Sequence, residues 1–198
     1  VADIIEEGYK VVITHGNGPQ VGFILRRSEL AKHELHMVPL DSCDADTQGA
    51  IGYQIQKALG NILKLREIKK EVVTVVTQVL VDINDPSFKN PSKPIGSFMN
   101  EEIATKHERE DGWNIVQDAG RGFRRVVPSP NPIEIVELSA IKNLLNNDFI
   151  VIAVGGGGIP VAKNKNGTLY GVEAVIDKDR ASSLLAINLN AGYFVIST

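Results

Sequence analysis

One cysteine, Cys43, stands in 198 residues, so no internal disulfide is available and the residue reads as a small core hydrophobe. Aromatics make up 6% of the chain and basic residues do not outnumber acidic ones; the formal net charge is −3, which argues against a nucleic-acid surface. The one tight basic cluster, Arg121, Arg124 and Arg125, is too short for such a surface and reads as a salt-bridged loop. No apolar run approaches the roughly 18 residues of a membrane span, and no basic-then-apolar leader opens the sequence, so the expectation is a cytoplasmic protein without a membrane contact. No internal repeat or low-complexity segment is present.

Two familiar nucleotide signatures are also missing. Val21 stands where the third glycine of G-x-G-x-x-G would follow Gly16, and the run from Gly155 meets Pro160 and Val161. Neither loop closes on Gly-Lys-Ser/Thr, which excludes a Walker A motif. These gaps weaken the dinucleotide oxidoreductase and the P-loop ATPase together.

What is there is a pair of glycine loops, each after an apolar strand. Val11–Thr14 runs into His15-Gly16-Asn17-Gly18 and a helix near Pro19, a junction whose free backbone N–H groups attract anions. Such junctions also occur in α/β proteins that bind nothing. The second, Gly155-Gly156-Gly157-Gly158, follows Phe149–Val154; four glycines lose much backbone entropy on ordering, so the run implies collision with a ligand or another backbone. Two loops at the carboxyl ends of two strands imply one crevice at the top of a parallel sheet.

Along the chain, Val21, Ile24, Leu25 and Leu35 predict an amphipathic helix, and Ile51 to Leu63 a second, starting after an Asp46-Thr47 cap. The β-branched run Val72–Val81 predicts one central strand. Residues 82–132 carry six prolines and one convincing helix, from Asn100 to Gly112, and read as an excursion from the main sheet. A helix at 138–147, an Asn166-Gly167 hairpin turn, a helix opening at Asp177-Lys178-Asp179 and a final strand at 193–198 complete the pattern. The first helix has no cap and the last strand no successor, so both ends read as cut from a longer protein. The fold expected is α/β, a three-layer αβα open, mainly parallel sheet.

Six segments in order, His15–Gly22, Thr47–Tyr53, Asn90–Gly96, Arg124–Pro130, Gly155–Pro160 and Val172–Asp179, resemble the carbamate kinases of the amino acid kinase superfamily over essentially the whole chain. The resemblance implies reversible phosphoryl transfer, ATP + carbamate ⇌ ADP + carbamoyl phosphate, with ATP or ADP as substrate, Mg²⁺, a homodimer, and use in the ATP-forming direction in arginine fermentation. It implies an acceptor lobe over residues 1–154 with a protruding subdomain at about 82–132, and a nucleotide lobe beginning at 155–198. Carried over by position, Lys93, Lys178 and Asp179 are catalytic, while Gly16, Asn17, Gly18, Gly155, Gly156, Gly157, Gly158 and Asp177 hold substrate or phosphate; no metal ligand is assigned. The residues alone leave plainer readings open: a loop lysine for Lys93, a solvated first-turn lysine for Lys178, and helix caps for Asp177 and Asp179. His15 stays outside the catalytic set as a strand-end histidine.

Three departures qualify the resemblance. A Gly-Gly-Asn strand and a further lysine-bearing nucleotide segment are absent, so the 198 residues alone are expected to be inactive. Asp41-Ser42-Cys43-Asp44-Ala45-Asp46 is more acidic than the family's usual Gly-Ala-Met segment, and its carboxylates would repel carbamate if they faced it. Another amino acid kinase with a different acceptor, or a non-catalytic module binding a small anion, remain the alternatives.

Overall fold

The structure is a computed structural model that describes residues 1–197. In chain order it contains α1 (Ala2–Glu6), β1 (Val12–Ile13), α2 (Gly18–Ala31), α3 (Leu40–Leu65), β2 (Val72–Thr74), β3 (Gln78–Leu80), β4 (Lys93–Met99), α4 (Glu101–Asp111), β5 (Asn114–Asp118), β6 (Gly122–Val127), β7 (Glu134–Ile135), α5 (Leu138–Asn146), β8 (Ile150–Ile152), β9 (Ile159–Lys163), β10 (Leu169–Gly171) and α6 (Lys178–Asn188).

The α/β alternation produces a parallel sheet in the order β1-β8-β2. Its middle strand sorts its side chains by period two: Ile150 and Ile152 enter a core with Ile5, Leu59 and Leu63, whereas Val151 and Ala153 enter another with Ile141, Leu145 and Leu185. Helices α1 and α3 therefore cover one face and α5 and α6 contribute to the other, which is the three-layer arrangement. Gly52 lets α3 approach closely, since a Cβ there would stand 2.3 Å from Thr74 Cγ2.

The run Val72–Val81 is not one strand. It breaks at residues 75–77, with β2 in the parallel sheet and β3 in a second, mixed sheet ordered β10-β9-β3-β7. The segment paired with it breaks alongside it, for β8 belongs to the first sheet and β9 to the second, with the tetraglycine between them. The backbone N–H of Thr77 is drawn to Gln48 Oε1 at 2.7 Å instead of to a neighbouring strand, which ends the ladder at that point.

Residues 93–127 form a three-stranded antiparallel sheet, β4-β6-β5, with α4 between the first two of its strands in sequence. Pro94 is tolerated because β4 lies at the edge. Helix α4 has the expected ends: Asn100 accepts from the N–H of Ile103, and Gly112 closes it at φ 66°. Arg124 and Arg125 lie in strand β6, not in a loop; Arg124 donates to Gly96 O, and Arg125 pairs with Glu173 and covers Trp113. The β9–β10 hairpin turns at Gly167, φ 81°.

Two further expectations are corrected. Helix α3 begins at Leu40 after Pro39, so Asp46 and Thr47 are interior residues and not a cap. Residues 193–197 form no strand, and Thr198 lies outside the described residues. Cys43 is fully buried, and burial, then the neighbouring carboxylates, push its thiol up to about 12, which makes it an inert packing residue. Among the described residues no helix is long and apolar enough to cross a membrane.

Candidate active site

The two glycine loops are in contact. Beyond β1, His15 presents its carbonyl to the N–H of Gly156 at 2.7 Å. Asn17 then starts α2, which has no side-chain cap, so the first-turn N–H groups of the exposed residues Gly18 and Gln20 have no intrahelical partner, the condition for an anion site.

The tetraglycine behaves differently from the first loop. Gly155, Gly156, Gly157 and Gly158 are all buried, and a Cβ on them would meet, in turn, the His15 ring at 2.3 Å, the Asn17 carboxamide at 2.0 Å, Ile176 O at 2.4 Å and Val79 Cγ2 at 2.2 Å. The last three also have φ of 69°, 108° and 84°. Collision does explain the run, but the colliding groups are the protein's own. The N–H groups of Gly157 and Gly158 are likewise turned inward, to Val154 O and Gly155 O. This loop shapes the crevice by packing, while the first-turn amides without an intrahelical partner belong to the α2 end.

Cationic groups converge from two other elements. Lys93, at the start of β4, places Nζ 3.1 Å from Asp177 Oδ2. Asp177 uses its other oxygen to cap α6, accepting from the N–H groups of Asp179 and Arg180 at 3.0 and 3.2 Å. The next residue, Lys178, has Nζ 3.0 Å from Asp179 Oδ1, and its Cδ lies 3.7 Å from where a Gly16 Cβ would stand. Thus Gly16, Lys93, Asp177, Lys178 and Asp179, scattered over more than 160 residues of sequence, share one neighbourhood. Partial burial raises the Asp177 carboxyl, but the Lys93 hydrogen bond and charge and the two amides outweigh it and hold the group below the ordinary carboxylate range.

Asn17 is 4% exposed, and its Nδ2 donates to Asp44 Oδ1 at 3.0 Å and Thr47 Oγ1 at 2.9 Å. Its side chain is therefore a strut between loop and helix. Asp44, Thr47 and Gln48 are the residues that sequence reasoning missed. Their i, i+3, i+4 spacing puts them on one face of α3, and all three are buried. Gln48 bonds both the N–H and the carbonyl of Thr77, whose hydroxyl accepts from the N–H of Val154. A polar triplet at helical spacing beside glycine loops was the available signal.

His15 is half-buried, its Nδ1 lies 3.0 Å from Gly16 O and its Nε2 is buried without a partner; desolvation lowers its pKa. A cavity of about 680 Å³ lies apart from these groups, between the end of α2, the α4–β5 turn and β10. Its bases Lys32 and Arg125 pair with Asp111 and Glu173, and none of Gly16, Gly18, Lys93, Lys178 or Asp179 lines it. Among the described residues no three His, Cys, Asp or Glu side chains converge as metal ligands, and Asp177 and Asp179 each face a lysine.

Comparison with known proteins gives a consistent picture. The amino acid kinase family model matches residues 1–198. Carbamate kinase of Pyrococcus horikoshii is 52% identical over 200 residues, covering 100% of this chain and 63% of that protein. Carbamate kinase of Thermococcus kodakarensis is 53% identical over 201 residues, covering 100% and 64%. A solved carbamate kinase from Giardia lamblia bound to AMP-PNP superposes with a TM-score of 0.87 at 46% identity, over 95% of this chain and 60% of that one. The chain therefore spans a little under two thirds of the length of the curated relatives it matches.

Proposed function

Because the chain belongs to the amino acid kinase family, we propose that it is part of a carbamate kinase catalysing ATP + carbamate ⇌ ADP + carbamoyl phosphate, and that Gly16–Gly18, Lys93, Lys178 and Asp179 form the reacting end of its site. The observation that carries this reading is the convergence of Lys178, packed on Gly16, and Lys93, held by the adjacent Asp177, at the uncapped start of α2.

Carbamate is already an anion, so its oxygen attacks the γ-phosphorus without a general base; the new O–P bond forms as the bond to the ADP oxygen breaks. No proton moves. The protein's task is to align two repelling anions and neutralise the transferring oxygens. Lys178 supplies charge from the head of α6, with Asp179 orienting it. Lys93 supplies charge from β4, and Asp177 fixes it while capping the helix. Asn17, held by Asp44 and Thr47, sets the loop, and the tetraglycine lets that loop seat. Mg²⁺ would travel on the nucleotide phosphates, because it keeps several waters and is bound by one or two carboxylates beside phosphate oxygens.

The finer parts of the reading follow the family. We propose residues 1–154 as the acceptor lobe, about 82–132 as a protruding subdomain, and 155–198 as the start of the nucleotide lobe. A homodimer, a cytoplasmic location and ATP formation at the end of arginine breakdown complete it. ATP production from ADP and carbamoyl phosphate, compared with acetylglutamate, aspartate and UMP as acceptors with ATP, tests the assignment. Activity on one of the latter instead would replace carbamate kinase with another amino acid kinase, and light scattering at twice the chain mass would support the dimer.

A further inference from the structure

Asp44 is a buried acid that the phosphoryl-transfer scheme uses only through Oδ1, as a hold on Asn17. It is 2% exposed, and only one of its two carboxyl oxygens is satisfied, by the Asn17 carboxamide. Oδ2 is buried with no partner, and the neighbouring Thr47 hydroxyl cannot serve it, because that proton goes to the Asp44 backbone carbonyl at 2.8 Å. A bare carboxylate oxygen away from water is costly, and a proton on Oδ2 removes the charge. Asn17 in turn is the residue between the exposed Gly16 and Gly18, and its carboxamide also fills the space that a Cβ on Gly156 would need. Asp44 is therefore one hydrogen bond behind the anion loop.

We propose that Asp44 is a positioning residue whose proton is linked to occupancy of the site: when a phosphate-bearing anion binds at Gly16–Gly18, a proton from solvent is taken up on Asp44 Oδ2. The ligand class rests on the kinase reading above. A second negative charge brought up to the far side of Asn17 repels the carboxylate through a medium of low dielectric, so the occupied site favours the neutral acid. The neutral acid still accepts from Asn17 through Oδ1, so the strut survives the change.

The surroundings leave Asp44 well placed to be the responding group. Burial, which outweighs the hydrogen bond from Asn17, puts its pKa at about 7, with Asp41 on the same helix adding to the rise. The first residues of the tetraglycine turn and strand β2 bring no ionisable side chain, and Lys163 at the end of β9 is paired with Glu134. On α2, Arg26 pairs with Glu29, and Arg27 is exposed; α1 meets the far end of α3 through Asp3, Glu6 and Arg66. Asp46 on α3 is exposed, and Lys178 reaches Gly16 from α6. His15 is the other titratable group of the loop, and its burial favours the neutral form near pH 7.

Calorimetric titration with carbamoyl phosphate, without ADP, in two buffers of different ionisation heat at pH 7.5 reads the proton directly. Wild type is expected to take up about half a proton per site more than Asp44→Asn. Asp44→Ser, which also removes the acid and leaves an acceptor near Asn17, is expected to match Asp44→Asn. Between pH 6 and 8 the affinity of wild type should fall about fivefold relative to either variant. Equal uptake and equal pH profiles in wild type and a folded variant would overturn the proposal. If wild type binds inorganic phosphate but not carbamoyl phosphate, the carbamate kinase reading falls, and the same two-buffer comparison made with phosphate decides the linkage by itself.

Discussion

Replacing Asp177 separates two jobs that one carboxylate performs. Its Oδ1 caps α6 through two amides, and its Oδ2 holds Lys93. Asp177→Ala loses both. The cap contributes about 1 kcal/mol, and the ion pair only a few tenths, because both side chains are about one third exposed, 34% and 36%. The sum is about 1.5 kcal/mol, or a fall in Tm of about 3 to 6 °C for a chain of this size. Asp177→Asn keeps an amide oxygen for the cap, so the expected fall is below about 2 °C. Activity should not separate the two variants. Both variants release Lys93, and misplacement by about 1 Å costs about a hundredfold, so both should lose about 10- to 100-fold in kcat. The wild-type contribution also depends on pH: the folded pKa lies below the unfolded value of 3.8, so stability is present above that value and disappears as pH falls through the folded one. Thermal melts by circular dichroism, beside ATP formation from carbamoyl phosphate, supply both readouts. If Asn destabilises as much as Ala, the cap is not what Asp177 provides; if Asn turns over normally, the Lys93 contact does not matter to the reaction.

Other substitutions test neighbouring parts of the argument. Lys178→Ala and Lys93→Ala should each lower turnover by at least about a hundredfold with little change in melting, since in the proposed site each removes a donor to the transferring phosphoryl group and neither fills the core; near-normal ATP formation would remove them from the site. Gly157→Ala, with a Cβ 2.4 Å from Ile176 O at φ 108°, should destabilise by about 3 kcal/mol in denaturant titration. Gly167→Ala, at φ 81° but with nothing within 4 Å, should cost only about 1 kcal/mol. Asp44 has a raised folded pKa, about 7 against 3.8, so wild-type stability should fall as pH rises through that window and level off above it. Asp44→Asn should flatten that fall, whose upper bound is about 4 kcal/mol; parallel stability curves for the two proteins would count against a buried, titrating Asp44.

Local chemistry was legible in the sequence and long-range chemistry was not. Helix α4 could be read because Asn100 and Gly112 act on adjacent backbone, and the β9–β10 hairpin because Asn166-Gly167 sets its own turn. The meeting of the two glycine loops followed from both lying at strand ends. In contrast, nothing in Val72–Val81 marks its break, which depends on Gln48 reaching Thr77 from 29 residues away. The start of α3 was hidden for a related reason. Asp44, Thr47 and Gln48 have the spacing of a solvated helix face, and only Asn17 and Thr77 opposite them reveal that the face is inside. Likewise the resemblance gives Asn17 as a substrate-binding residue of the loop, and only the structure shows its side chain turned inward to Asp44 and Thr47.

The clamp formed by Gln48, Thr77 and Val154 bears on how the crevice behaves in time. Glycine-rich loops are commonly pliable and lose freedom when a ligand orders them. Here Thr77 N–H, Val154 N–H, Gly156 N–H and Ile159 N–H are all held by partners inside the protein. Those four amides should exchange with deuterium about as slowly as the core strands, opening only when the sheets themselves open. A phosphate anion arriving at this crevice would meet a surface already rigid, and little conformational entropy would be lost on that side of the complex.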